Sequence, residues 1–135
     1  MKMVMKKSGK KGFTLAELLI VVAIIGVLVG ISIPIFTTQL AKSRLATNQA
    51  NARAAKAAAV AAYFEDENVK GGTYNVETGV FTKATTAPTT TITGDTISKW
   101  TTTDMGSTVY KEWTVAIADG KVTGYACSGD LKATT

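Results

Sequence analysis

The sequence predicts an α+β fold in which a long N-terminal α-helix carries a small antiparallel β-sheet on its second half. Two observations predict the helix: residues 18–36 contain no charged side chain, and residues 37–62 are rich in alanine. The sheet is predicted because apolar residues alternate along the chain after residue 72. We divide the chain accordingly into residues 1–12, 13–36, 37–70 and 71–135.

Residues 1–12 form a basic leader without an acidic residue. The leader holds five of the fifteen basic residues, and the rest of the chain has ten basic and ten acidic residues; the five are Lys2, Lys6, Lys7, Lys10 and Lys11. The net charge of +5 therefore belongs to the leader and does not indicate a nucleic-acid-binding surface. We expect this segment to be cleaved and its charge to hold the N-terminus in the cytoplasm. The alternative is a conventional secretory signal peptide, cut after its apolar region.

The segment 13–36 is long enough to cross a hydrocarbon core of ~30 Å as a helix. Glu17 is the exception within it, since an ionised carboxylate there costs about 2.5 kcal/mol or more. No Lys, Arg or His lies between Phe13 and Gln39, so we expect no charge partner from this chain. Cleavage between Gly12 and Phe13 creates an α-ammonium group, and a neighbouring copy can then supply the positive charge that Glu17 needs.

Three further residues of this segment are candidate assembly residues. Gly26 and Gly30 form a small-xxx-small spacing, which allows two helices to approach closely in lipid. Pro34 removes a backbone donor and is expected to bend or loosen the helix near Gly30. The alternatives are a chance glycine spacing and a plain membrane-helix kink, and the kink is the interpretation that we favour for an isolated subunit.

The alanine-rich half of the helix is predicted to pack against the sheet on one side and to face neighbouring subunits on the other. Leu45, Ala52, Ala59 and Tyr63 fall near one side, and small side chains suit a packed face. We expect Tyr63 and Phe64 to be buried there, because a free stalk would leave both exposed.

The acidic cluster Glu65-Asp66-Glu67 opposes the helix macrodipole and should be offset by cations. The candidates are Lys70 of the same chain, or Arg44, Arg53 and Lys56 of another subunit; a solvated surface is the alternative. Gly71-Gly72 is expected to end the helix.

The C-terminal segment predicts three or four antiparallel strands. Residues 73–76 and 80–82 form one candidate hairpin, and Asp119-Gly120 joins residues 109–118 to 121–127 in a second. Trp113, Val115 and Ile117 would share one face of that hairpin, with either Val122 and Ala126 or Tyr125 and Cys127 on its second strand. Residues 82–103 are predicted to be a threonine-rich surface loop with weak strands, suited to O-linked sugar, and residues 130–135 to fray.

The residue inventory gives little support to an enzyme. The chain has no His and a single Cys, and it lacks a glycine-rich phosphate loop. We therefore expect no catalytic residues, no cofactor, no metal site and no small-molecule substrate. Cys127 cannot form a disulfide within the chain and is expected to be a small buried apolar residue.

The residues around Gly12 resemble a known signal. Gly12 before Phe13, followed by Thr14, Leu15 and Glu17 and a long apolar run, is similar to the class III signal of type IV prepilins and pseudopilins over about residues 6–37. The resemblance implies that a membrane prepilin peptidase cuts after Gly12 and methylates the new amine of Phe13. It also implies assembly of many copies into a filament on an assembly platform protein, with Glu17 neutralised by the Phe13 amine of an adjacent copy.

The resemblance carries expectations about location and leaves other functions open. The subunit would be a single-pass plasma or inner membrane protein before assembly and part of an extracellular filament afterwards. One alternative is a pseudopilin of a type II secretion or competence DNA-uptake machine, and DNA would be a partner only in the latter. Another is a membrane-anchored surface protein that never assembles. Many pilins close a C-terminal loop with two cysteines, and the single Cys127 departs from that pattern.

Overall fold

The computed structural model describes residues 12–131. Helix α1 spans Leu15–Glu65, a 3-10 helix spans Ile97–Lys99 and α2 spans Thr102–Met105. The strands are β1 Gly71–Asn75, β2 Phe81–Ala84, β3 Ile92–Thr93, β4 Tyr110–Ala118 and β5 Lys121–Asp130. The predicted leader lies outside the described residues apart from Gly12, and so do residues 132–135 of the segment predicted to fray.

The chain forms two compact units, residues 1–37 and residues 38–135, and the 51-residue helix α1 contributes to both. Every described residue of the first unit is exposed. The second unit contains the hydrophobic core and the sheet. The predicted α+β fold, with a long N-terminal helix and an antiparallel sheet, is therefore confirmed.

The sheet has the strand order β2-β1-β4-β5-β3, and every pair is antiparallel. Both predicted hairpins are present. Asp119 and Gly120 have φ values of 52° and 76°, the positive values that the central residues of a type I′ turn require. Five strands form where three or four were predicted, because Ile92 and Thr93 add a short edge strand beside β5. Asp130 pairs with Tyr110 and is not frayed.

The core joins small side chains of α1 to large side chains of the sheet. Ala52 and Ala59 are fully buried, as predicted, and so is Ala55; all three cluster with Trp113 and Tyr125. Leu45 and Tyr63 are half-buried and pack at the margin of this cluster. Alanine leaves space on the helix surface that the aromatic rings fill.

The buried face of the second hairpin is also as predicted. Trp113, Val115 and Ile117 are all buried. Val115 pairs with Tyr125, and Trp113 pairs with Cys127. Because paired residues lie on the same side of a sheet, Tyr125 and Cys127 supply the inner face of β5 next to Trp113 and Val115.

The prediction of a surface loop over residues 82–103 is wrong for its second half. Ile97 and Trp100 are buried, and the Trp100 ring stacks on Trp113 with their centroids 5.4 Å apart. The Trp100 and Tyr125 rings pack edge to face, with their centroids 5.7 Å apart. The 3-10 helix turns these isolated apolar residues inward, which is why no alternating pattern marks them in the sequence.

Asn48 anchors the chain after α2 to the long helix. Its side-chain amide is fully buried and donates to the carbonyl oxygens of Met105 (2.9 Å) and Thr108 (2.7 Å). Its Oδ1 accepts the backbone N–H of Tyr110 at 3.1 Å. A buried amide with all of these partners positions β4 on α1.

Helix α1 ends at Glu65, not at the glycine pair. Gly71 and Gly72 are instead the first residues of β1. A Cβ on Gly71 would lie 2.0 Å from the Val115 carbonyl oxygen, and one on Gly72 would lie 2.2 Å from that of Thr82. The glycines are therefore required by close strand packing, and Gly71 also has a φ of 140°.

The prediction that Phe64 is buried is wrong, because this residue is 81% exposed. Successive helix residues point about 100° apart. Ala62 faces the core, Tyr63 lies at its margin, and Phe64 is turned away from it.

Candidate functional site

The candidate site lies at the start of α1. Residues 12–14 are not helical, and α1 begins at Leu15. The bond between Gly12 and Phe13 therefore lies in irregular backbone just before the helix. Both residues are exposed, and the Phe13 side chain is 81% exposed. A protease can approach this bond without unwinding α1.

Glu17 has a partner in its own chain that the sequence analysis missed. The Thr14 N–H donates to Glu17 Oε2 at 2.9 Å, and the Glu17 N–H donates to Thr14 Oγ1 at 3.2 Å. This reciprocal pair is a capping box, which satisfies two backbone donors at the start of the helix. The signal was available in the sequence, because Thr-x-x-Glu is the pattern of this cap.

The cap does not neutralise Glu17. Within residues 12–131, no cationic nitrogen forms an ion pair with the Glu17 carboxylate. Glu17 Oε1 accepts none of the hydrogen bonds described there, so the carboxylate can still pair with a cation while it caps the helix.

The helix after Glu17 is apolar and uncovered. By length and composition α1 can cross a membrane, and none of its most apolar 18-residue window is buried. Such a helix needs an apolar cover, which either lipid or other copies of the chain can provide.

Gly26, Gly30 and Pro34 all lie inside α1. A Cβ added at either glycine would meet nothing within 4 Å, so the surface beside each glycine is open to another helix. The helix continues through Pro34 to Glu65. Side-chain hydroxyls bond to helix carbonyls near the proline. Ser32 Oγ donates to Leu28 O at 2.7 Å, and Thr37 Oγ1 donates to Pro34 O at 3.0 Å.

A second uncovered surface lies on the outer half of α1. A shallow groove of about 440 Å³ is lined by Arg53, Lys56, Ala57, Val60, Ala61 and Phe64. Its wall is almost entirely apolar, and the exposed Phe64 is one of its lining residues. We call this surface the Phe64 groove.

The charges near the end of α1 are paired differently from the prediction. Lys83 Nζ, not Lys70, lies 2.6 Å from Glu65 Oε2. Asp66 Oδ1 accepts the backbone N–H of Asn68 at 2.9 Å. Lys56, a candidate partner for another subunit, forms an ion pair with Asp95.

The Lys56–Asp95 pair continues into the sheet. The Tyr125 hydroxyl donates to Asp95 Oδ1 at 2.8 Å. The Lys56 ammonium, with help from Tyr125, lowers the pKa of the Asp95 carboxyl. Burial raises the pKa of the Tyr125 hydroxyl, and the hydrogen bond to Asp95 with its nearby negative charge raises it further.

Cys127 is a half-buried free thiol, and burial raises its pKa. The thiol is therefore protonated at neutral pH. Among the described residues, no three His, Cys, Asp or Glu side chains lie close enough to hold a metal ion.

Comparison with known proteins agrees with the resemblance. Residues 7–33 match the family model described as the prokaryotic N-terminal methylation motif. The type IV major fimbrial protein FimA of Dichelobacter nodosus is 42% identical over 74 residues, which cover 55% of this chain and 46% of that protein. Fimbrial protein EcpC of Eikenella corrodens is 40% identical over 65 residues, which cover 48% of this chain and 42% of that protein. Fimbrial protein Q of Moraxella bovis is 42% identical over 65 residues, which cover 48% of this chain and 41% of that protein.

The chain spans less than half the length of these curated relatives. No solved structure gives a significant match to it. The chain is therefore similar to type IV fimbrial proteins over its N-terminal half, which contains the motif at Gly12–Glu17 and most of the long helix.

Proposed function

We propose that this chain is the structural subunit of a type IV pilus-like filament and not an enzyme. A prepilin peptidase cuts between Gly12 and Phe13 and methylates the new amine. The subunits then assemble through the first half of α1, with Gly26, Gly30 and Pro34 at the contacts between helices. Before assembly this helix lies in the membrane with the leader on the cytoplasmic side, and an assembly platform protein moves the subunit into the filament.

The observation that carries the proposal is the unneutralised carboxylate of Glu17 on an uncovered apolar helix. Membrane insertion alone does not explain it, because the charge makes insertion less favourable. The amine of Phe13 on an adjacent copy can form an ion pair with it. Exposed alanine and large apolar side chains on the Phe64 groove provide a second surface for neighbouring copies.

The test is to shear filaments from cells that produce the chain and to determine the N-terminus of their main component by mass spectrometry. We expect a mature chain that begins at N-methylated Phe13. A chain that is recovered uncut, with Lys2 to Gly12 present and only as single molecules in the membrane, would contradict the proposal and favour a non-assembling anchored protein.

The same preparation distinguishes a major pilin from a pseudopilin. Several of the relatives are named as major fimbrial or major pilin proteins, which favours the major subunit. A major pilin should be the most abundant protein of the sheared fraction. A cleaved and methylated chain that is absent from this fraction but needed for secretion or DNA uptake would identify a pseudopilin instead.

A further inference from the structure

A cleft beside β5 is not used by any contact named so far. Its volume is about 540 Å³, and its lining includes Trp100, Met105, Tyr110 and Cys127. We call it the Cys127 cleft. It reaches the core, because Trp100 and Met105 are members of the core cluster and Cys127 packs against that cluster. Tyr110 and Cys127 are only half-buried, so part of this largely apolar wall is uncovered.

The cleft lies level with Asn48 of α1. The Asn48 side chain donates to the Met105 carbonyl oxygen at 2.9 Å and accepts the Tyr110 N–H at 3.1 Å, and both of those residues line the cleft. Cys127 lies at the same level, since it pairs with Trp113 near the start of β4. The cleft therefore belongs to the end of the second unit that Asn48 marks.

Phe64 lies at the opposite end of this unit. It is roughly 24 Å farther along α1 than Asn48, at the helical rise per residue. Strand β4 leads the same way, from Tyr110 beside Asn48 to the turn at Gly120, where an added Cβ would lie 3.2 Å from the Tyr63 ring. Phe64 follows Tyr63 and is 81% exposed, so an uncovered ring marks one end of the unit and the cleft marks the other.

An exposed ring and an open cleft at opposite ends can join successive copies of the chain. A contact between two different surfaces of one chain is heterologous, because each copy offers the ring to one neighbour and the cleft to another. A contact of this kind does not close on a pair of copies, and it repeats into an open helical array. Repetition without closure is the property that a filament requires.

We propose that the Phe64 ring of one copy inserts into the Cys127 cleft of the next copy in the filament. The inference rests on the proposed filament function and adds a contact between second units to the contacts of the first half of α1. It covers the exposed ring and fills the cleft, so apolar surface of both copies leaves water.

The charges beside the two features suit this contact. Lys99 lines the cleft, and Glu67 lies three residues after Phe64. Both are exposed, and neither forms an ion pair within residues 12–131. The acid of the cleft, Asp104, is held by hydrogen bonds from the Thr101 N–H and hydroxyl. A cation and an acid at the edge of an apolar contact favour one orientation of the two copies.

Cys127 reports on the cleft without any substitution, because it is the only thiol of the chain. The test compares the rate of maleimide labelling in sheared filaments with the rate in the full chain dissolved as single copies in detergent. We expect labelling to be at least about tenfold slower in filaments, since the inserted ring blocks access to the thiol. Equal rates would overturn the proposal, including equal slow rates caused by a small molecule that fills the cleft in both samples.

Phe64→Cys identifies what fills the cleft. In filaments of this variant, oxidation by dissolved oxygen should join the introduced thiol to Cys127 of the next copy, and a non-reducing gel should show a ladder of multimers. The ladder should disappear when Cys127→Ala is added. Linked pairs without larger species would indicate that the Phe64 positions of two copies meet each other, and this would overturn the proposal.

Val80→Cys is the matched control, because Val80 is also an exposed apolar residue but lies at the Asn48 end of the sheet. Its carbonyl accepts the Asn75 N–H, and Asn75 pairs with Glu112 near the start of β4. A thiol there meets Cys127 of another copy only if like ends touch, so no ladder should form.

Failure of the contact is distinguishable from failure of the filament function. Filaments that contain the Phe64→Cys chain but no linked copies would overturn this inference alone, whereas the absence of filaments from the unmodified chain would overturn both. If the variant does not polymerise by itself, it is produced together with the unmodified chain, whose Cys127 then accepts the cross-link. If the variant is excluded from those mixed filaments as well, the labelling of the unmodified chain decides.

Discussion

The two halves of α1 share one backbone conformation but differ in what covers their apolar side chains. In residues 15–37 every side chain is exposed, including the large branched ones. In the second half, the buried apolar residues are all alanines, and the sheet of the same chain covers them. Large side chains therefore lie on the half that needs an external partner, and small ones on the half whose partner is internal.

The polar residues of the two halves differ in the same way. The Glu17 carboxylate accepts one hydrogen bond from a neutral donor, the Thr14 N–H, and forms no ion pair within the described residues. Asn48 finds three partners and is completely satisfied within the chain. The acid without a cationic partner on the first half is the residue that we propose for assembly, whereas the fully hydrogen-bonded amide on the second half is a contact within the folded chain.

The largest effect is expected from Glu17→Ala, which removes the acid of the first half. We expect the yield of sheared filament to fall at least about tenfold, since the amine of the adjacent subunit loses its partner in an apolar surrounding. Membrane insertion should be unchanged or improved. Quantitative immunoblots of the sheared and membrane fractions measure both effects.

Glu17→Gln separates charge from helix capping in the same assay. Glutamine keeps an acceptor for the Thr14 N–H but has no charge. Its filament yield should fall like that of the alanine variant. Normal filament yield from either variant would be incompatible with the ion pair.

Trp113→Ala tests the internal cover of the second half. Truncation of a fully buried tryptophan should lower the free energy of unfolding by about 3–5 kcal/mol. Urea unfolding of the full chain in detergent, followed by the fluorescence of Trp100, measures the loss. Lys121→Ala is an exposed control on β5 and should have little effect. A loss below about 1 kcal/mol would show that this ring does not hold the sheet on α1.

Asn48→Ala tests the polar anchor between α1 and the start of β4. It leaves two carbonyls and one N–H without their partner, and we expect a loss of about 2–3 kcal/mol in the same unfolding assay. Asn51→Ala is a matched control one helical turn away, because the Asn51 Nδ2 is buried without a partner. Equal losses for the two variants would argue against a specific anchor at Asn48.

The smallest effect is expected from the ion pair between Lys56 and Asp95. The folded pKa of Asp95 is lowered below its usual value of 3.8, so the pair stabilises the fold above that value. The stability is lost as pH falls through the lower, folded pKa. Both side chains are about 40% exposed, so we expect no more than about 1 kcal/mol.

Urea unfolding at pH 7 and at pH 3 measures how much the Lys56–Asp95 ion pair contributes to the free energy of unfolding. Asp95→Asn should reduce the difference in stability between the two pH values. Asp119→Asn, in the exposed turn between β4 and β5, is the control and should leave the difference unchanged. An unaltered difference in the Asp95 variant would mean that the pair contributes nothing to the fold.

The comparison also explains which features could be predicted from the sequence. The second hairpin was predictable because Asp119-Gly120 specifies its own turn, and the buried face of β4 follows from simple alternation. The prediction failed where a position depends on distant residues. Trp100 carries no local sign that it stacks on Trp113. The error at Phe64 is of another kind, because the helical period by itself turns Phe64 about 100° away from Tyr63.

The candidate site follows the same division. Gly12, Phe13 and Glu17 were identified by their resemblance to the class III prepilin signal, and they remain proposals for cleavage, methylation and assembly. The Thr14 cap was predictable from the sequence as well, because Thr-x-x-Glu at the start of a helix is the pattern of a capping box.

The sequence by itself determined the order of the elements, the long apolar helix with its single acid, and the hairpin turns. These features depend on periodicity and on residues close together in the chain. Only the tertiary structure decided that Asn48 anchors β4, that Lys56 pairs with Asp95, and that Gly71 and Gly72 belong to a strand. Those outcomes depend on contacts between residues tens of positions apart, which no local pattern encodes.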